Sequence, residues 1–190
     1  MPLSHAILAF LEFQPMSGYD MKKYIDQSVN HFWSATQSHI YKELENLEKK
    51  GMAQAELIPQ EGKPNRKEYR ITDAGRAELR NWLVTPIPLD PVRQAWLIQI
   101  FFSHFSSNEE IAALLEARMN DIREKLKTYR GDAQAAIEEN AKRIGVERAR
   151  ELWQITLDYG IDFYESELAW LEKTLDRVRN LPPLTPPSQD

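Results

Sequence analysis

Cysteine is absent from this chain of 190 residues. That excludes disulfides, thiolate-held metals and cysteine nucleophiles. Long apolar runs are missing too: none approaches the ~18 residues that a membrane-spanning helix needs, so no membrane association is expected. The opening stretch MPLSHAILAFLEF is apolar, yet it has no basic leader and no small-residue cleavage site. It reads as a core helix and not as a signal peptide. The histidines, His5, His31, His39 and His104, form no pair four apart on a helix, so zinc ligation is not expected. No GxSxG turn and no phosphate-cradling glycine loop occurs, and no Ser-His-acid set stands out. The acidic pairs Glu109-Glu110 and Glu138-Glu139 read as solvated helix faces. Neither an enzyme nor a cofactor is expected, and the absences together point to the cytoplasm.

What is present is an ordinary globular composition, 42% hydrophobic and 28% charged. The length suits one large domain or two small ones. The net charge of −5 is unevenly divided. Residues 1–85 balance eleven basic against eleven acidic side chains, whereas residues 86–190 carry thirteen against eighteen. A neutral first half can still bind nucleic acid if its cations gather on one face.

Apolar periodicity gives the order of elements. Ser4 to Phe13 is a short buried helix ended by Gln14-Pro15, and Ser17-Gly18 caps a second from Tyr19 to about Val29. A third, from about Ala35 to Lys50, places Ile40, Leu44 and Leu47 on one stripe, and Gly51 follows where a left-handed cap belongs. Ala53, Ala55 and Leu57, then Tyr69 and Ile71, alternate with polar residues as two strands joined by the tip EGKPNRK. Thr72-Asp73 caps a fourth helix, and the prolines of TPIPLDP mark a boundary. Beyond Pro91 everything reads as helix, up to a proline-rich tail over 181–190 that is expected to be disordered.

Three short helices, a hairpin and a fourth helix make up a winged helix-turn-helix domain, predicted over residues 1–85. In that arrangement the third helix enters the major groove with its N-terminal residues on base edges. The start of the predicted helix is small and polar: Ser34, Ala35, Thr36, Gln37 and Ser38. Such side chains let a helix approach DNA closely, and a glutamine can read an adenine edge. Gln37, Ser38, Tyr41 and Lys42 fall off the buried stripe or at its edge. The hairpin supplies Lys63, Arg66 and Lys67, with Arg70 behind, as phosphate or minor-groove contacts. Taken singly, a Ser or Thr at a helix start is more often a cap, and a basic tip is more often a solvated turn. Their conjunction in this element order is what favours DNA.

The segments LSHAILAFLEFQPMSGYDMKKYID, FWSATQSHIYKELENLEKKGMAQ and PQEGKPNRKEYRITDAGRAELRNWL resemble the N-terminal domain of the PadR family of bacterial transcriptional regulators. The likeness runs over residues 3–85. The helical remainder is more loosely similar to the C-terminal domain of the longer PadR-like proteins. The resemblance implies a homodimeric winged-helix regulator, usually a repressor, that releases a near-palindromic operator when a small molecule binds. The family's recognition-helix positions match Thr36, Gln37, Ser38, His39, Tyr41 and Lys42, and its wing positions match Lys63, Pro64, Asn65, Arg66 and Lys67. Gly18, Gly51 and Gly75 match structural positions.

Two expectations concern the second half, a helical dimerisation and effector domain over 91–180. The final helix, Val146 to Arg179, is longer than a small core needs. Its apolar residues Trp153, Phe163, Leu168, Trp170 and Leu171 are expected to pair two chains, in keeping with the prevalence of two-fold oligomers. Trp33 and Trp96 are candidates for a small aromatic effector site. The alternative function is a winged-helix module that binds protein and not DNA, which the salt dependence of duplex binding would distinguish.

Overall fold

A computed structural model describes residues 2–59, 65–89, 91 and 93–184. Lys63 and Pro64 of the expected wing, and residues 185–190 of the tail, lie outside them. The chain forms two compact units, Met1–Pro88 and Leu89–Asp190.

In the first unit the helices start where side-chain caps are available. Ser17 and Asp20 form a reciprocal capping box at the head of α2 (Gly18–Gln27), and Thr36 and Thr72 cap α3 (Gln37–Lys49) and α4 (Asp73–Val84). Caps of this kind stabilise by about 1 kcal/mol. Fully burying one large aliphatic side chain stabilises by ~1.5–3 kcal/mol, so packing dominates. Ile40 and Leu44 of α3 are wholly buried, as are Ile7 and Leu8 of α1 (Pro2–Phe13) and Met21 and Ile25 of α2. Gly51 ends the α3 segment at φ +68°, a left-handed conformation that costs glycine little.

The sheet has three strands in the order β1-β3-β2. Strands β2 (Ala53–Ile58) and β3 (Arg66–Ile71) pair antiparallel with Ala55 opposite Tyr69 and Ile58 opposite Arg66. Sequence alternation had marked these two. Strand β1 is only Met16–Ser17, antiparallel to β3 with Ser17 opposite Glu68. Two residues cannot display a period of two, and their pairing ties the hairpin to the segment that caps α2.

The second unit is a helical hairpin. Ser107 and Glu110 form another capping box at the head of α6 (Asn108–Thr128), which follows α5 (Ala95–Phe102) and a 3-10 turn, Ser103–Phe105. A π-helical turn, Tyr129–Ala133, carries α6 on into α7 (Gln134–Ile144). Gly145, at φ +70°, then reverses the chain into α8 (Glu147–Arg179). Ile111, Leu115, Met119 and Leu126 of α6 close on Leu171, Leu175 and Val178 of α8. Arg118–Glu167, Arg130–Glu165 and Arg150–Glu138 ion pairs rivet the flanks.

Candidate nucleic-acid interface

Helix α3 presents one sealed face and one open end. Thr36, Gln37, Ser38 and His39 are all exposed, whereas Ile40, Leu44 and Leu47 are buried. Thr36 acts as the cap: its Oγ1 accepts the His39 amide at 3.3 Å and lies 3.0 Å from Ser38 Oγ. The Ile40 amide donates to Thr36 O at 3.1 Å. The amides of Gln37 and Ser38 have no partner within a helix by construction, which makes this end suitable for an anion. Lys42 is exposed, and no ion pair involves it among the described residues.

Tyr41 lies one turn further along α3, partly exposed, and packs over the head of α2. The same α2 head meets the hairpin: Arg66 Nη2 donates to Asp20 Oδ2 at 2.7 Å and lies 2.9 Å from Glu68 Oε1. Helix α3 and the hairpin therefore share a single support, the turn Ser17–Asp20.

Among the described residues, the cations of the hairpin already have carboxylate partners. Arg66 is held by two carboxylates, Lys67 donates to Glu48 Oε2 at 2.8 Å, and Arg70 lies 3.3 Å from Glu56 Oε2. The hydrogen bond to Glu48 holds the Lys67 ammonium above the usual lysine range, so it stays charged at neutral pH. Asn65 is exposed at the head of β3. Acids from two to 46 residues away in sequence are these partners, and only the fold shows which of them face a given cation.

In the second unit the five expected pairing residues separate into two groups. Phe163 and Trp170 are exposed. Leu171 is completely buried against α6, Leu168 packs on the same core, and Trp153 packs with Tyr129, Ile137 and Leu157. Those three are thus occupied within their own chain, because α6 and α7 cover their side of α8. The exposed stripe of α8 is instead Leu152, Ile155, Tyr159, Phe163 and Trp170, and α5 has no fully buried residue, only Trp96 and Ile100 packing half-buried on the α6–α8 core. Sequence reasoning had not placed α5 at a surface, since its apolar content reads as core until its neighbours are known.

A groove of about 560 Å³ runs between α5 and α8, lined among others by Trp96, Tyr159, Asp162, Phe163, Glu167 and Trp170. Trp96 and Trp170 meet edge to face at 5.7 Å, and the Arg118 guanidinium lies over the Trp96 ring, 4.2 Å from its centre. Trp96, one of the two expected effector-site residues, lines this groove. Trp33 belongs to the first unit, its amide bound to Val29 O and its ring partly exposed. Among the described residues no helix is long and apolar enough to cross a membrane.

Residues 7–81 match the model of the transcriptional regulator PadR-like family, and residues 92–179 match that of the virulence activator alpha C-terminal family. The negative transcriptional regulator PadR of Bacillus subtilis is 33% identical over 68% of this chain and 71% of its own length. The chain belongs to the PadR family of transcriptional regulators. That is a regulatory and not an enzymatic family. The chain is also similar to the probable transcriptional regulator Rv1176c of Mycobacterium tuberculosis, at 31% identity over 94% of this chain and 98% of that protein. Two solved structures of the Bacillus subtilis PadR superpose well. The complex with operator DNA has a TM-score of 0.79 at 26% identity, and the complex with p-coumaric acid 0.74 at 25%; each covers 94% of this chain and 99% of that one.

Proposed function

We propose that this chain is a cytoplasmic, homodimeric, sequence-specific DNA-binding repressor that leaves a near-palindromic operator when a small aromatic molecule binds. The observation that carries it is the α3 terminus, where Gln37, Ser38 and His39 stand exposed beside a face sealed by Ile40 and Leu44. In a PadR-family chain similar to a protein crystallised on its operator, that terminus is the part that enters the major groove. Gln37, Ser38, His39 and Tyr41 read base edges, and Thr36 holds the first turn in shape. Lys42, Lys63, Asn65 and Lys67 contact phosphate or the minor groove.

Two reading heads require two chains, and half-sites about one DNA turn apart, ~34–36 Å, follow from the symmetry. The surface that pairs them includes Phe163 and Trp170 together with the uncovered apolar face of α5. The α5–α8 groove falls within the ~300–1,000 Å³ of small-molecule sites and is the proposed effector site, as the Bacillus subtilis protein binds p-coumaric acid.

The test is a footprint on the DNA upstream of the chain's own gene, followed by a salt titration of the protected duplex. Two-fold protection is expected, with affinity falling by roughly 0.9 log unit per phosphate contact for each tenfold rise in salt. Gln37→Ala is expected to weaken the operator but not random duplex. Absence of any salt-sensitive duplex binding would sink the reading and favour a protein partner.

A further inference from the structure

Arg66 stands where a phosphate-contacting cation is expected, and the charges around it argue for another task. Its Nη2 is shared between Asp20 Oδ2 at 2.7 Å and Glu68 Oε1 at 2.9 Å. Two carboxylates around one guanidinium leave the cluster with a net negative charge. A phosphate approaching it meets repulsion from both acids at distances where salt screens little. The Arg66 Nε is buried and has no hydrogen-bond partner among the described residues, so the side chain is also partly enclosed.

The partner on α2 is itself fixed. Asp20 Oδ2 accepts the Ser17 amide at 3.2 Å and the Ser17 hydroxyl at 2.7 Å, and Ser17 Oγ accepts the Asp20 amide in return. Ser17 lies in β1, which pairs with β3, and stands opposite Glu68. The next residue, Gly18, lies under the Tyr41 ring of α3. Within this one turn the hairpin, the head of α2 and the recognition helix are held to a common frame.

We infer that Arg66 is a positioning residue: by bridging Asp20 and Glu68 it sets the angle of the hairpin wing to the recognition helix, and it does not itself neutralise a phosphate. The inference rests on the DNA-binding reading above. The two roles predict opposite signs for one substitution. Were Arg66 a phosphate contact, Asp20→Asn would remove a competing negative charge and leave duplex affinity unchanged or tighter. As a clamp, Arg66 loses its anchor, and affinity falls.

The experiment uses the full chain and a duplex that it enriches from a randomised pool, with circular dichroism and melting checked for each variant. Asp20→Asn, Arg66→Ala and Arg66→Lys are each expected to weaken binding about fivefold, the scale of a partly exposed ion pair transmitted to the wing. Arg66→Lys matters because it keeps the positive charge but not the fork that spans two acids. The double variant Asp20→Asn/Arg66→Ala is expected to bind no worse than Arg66→Ala alone. Tighter or unchanged binding by Asp20→Asn, wild-type affinity in Arg66→Lys, or additive losses in the double variant would each overturn the inference. If Asp20→Asn does not fold, Arg66→Lys decides alone. A wild-type chain that enriches no duplex refutes the DNA-binding reading, which is a different failure.

Discussion

The Tyr41 ring occupies the space that a β-carbon on Gly18 would need, with Cε1 2.6 Å and Cζ 2.8 Å from that position. A glycine at the head of α2 is therefore what lets α3 seat Tyr41 there. The ring is partly exposed and can swing outward, so Gly18→Ala is expected to leave the fold largely intact while displacing Tyr41. Operator affinity should fall by about 1–3 kcal/mol, the scale of a base-edge contact, with little change on random duplex. Fluorescence anisotropy on both duplexes checks this. Tyr41→Ala should show the same loss, and Gly18→Ala/Tyr41→Ala no greater one.

Gly75 differs, because the obstacle there is backbone. A β-carbon at that position would stand 2.1 Å from Met52 O, a carbonyl that already accepts the Thr72 amide at 3.1 Å. It has no rotamer with which to escape. Gly75→Ala is expected to cost about 1–3 kcal/mol of stability, as overpacked sites do, measured by urea unfolding. A substitution that leaves the urea midpoint unchanged would show that α4 can shift away from the α3–β2 turn.

These two glycines show what sequence could and could not provide. Caps at Ser17, Thr36, Thr72 and Ser107, and the stripe Ile40, Leu44 and Leu47, are local features, and each stands where local rules put it. Gly18 and Gly75 could be recognised as structural, but not what each one accommodates. Partners of Arg66 and Lys67 lie 46 and 19 residues away, so no local rule shows that these cations are already paired. Leu171 and Trp170 are adjacent in sequence and equally apolar; one is sealed and the other exposed, because only one faces α6. Pairing across distance, not composition, decides such cases.

The exposed apolar surface of the second unit predicts association. Phe101 is 77% exposed and Phe163 44%, alongside Ile98 and Ile155. Contiguous apolar area of this kind marks an interface. Phe163→Glu is expected to convert a dimer to a monomer at micromolar concentration, read by light scattering, and to reduce operator binding with it. Leu171→Ala should instead destabilise the unit by about 2–5 kcal/mol, as loss of a buried leucine does. A dimer that survives Phe163→Glu would move the interface elsewhere.

Burial, with a smaller contribution from neighbouring Tyr164, pushes the Tyr129 phenol up to about 12 from its ordinary value near 10. The folded state therefore holds this proton more tightly than the unfolded chain. Its contribution to stability is complete below about pH 10 and is lost as pH rises through about 12. Tyr129→Phe keeps the ring against Gly160 but has no proton to lose. Urea midpoints of wild type should fall faster than those of the variant across that alkaline window. Parallel curves would mean that the phenol ionises in the folded state as it does in water.

The sign of charge in the α5–α8 groove bears on what the groove can hold. Asp162 and Glu167 line it. Arg118 donates its Nε–H to Glu167 Oε1 at 2.7 Å, while Glu167 Oε2 is buried with no hydrogen-bond partner among the described residues. One guanidinium therefore balances only one of two carboxylates, and it already displays how a cation rests on the Trp96 ring beside an acid. A charge pair 4 Å apart is worth about 4 kcal/mol at an effective dielectric of 20, and an open groove retains part of this. An aryl amine cation is expected to bind about tenfold more tightly than the aryl carboxylate of the same shape. Tryptophan fluorescence titrations of the matched pair provide the comparison, with Trp96→Ala as the control that locates the site. That preference is opposite in charge to p-coumaric acid on the Bacillus subtilis protein. Equal or tighter binding of the carboxylate, abolished by Trp96→Ala, would show that Arg118 leaves Glu167 when a ligand enters and that the groove's resting charge does not select its ligand.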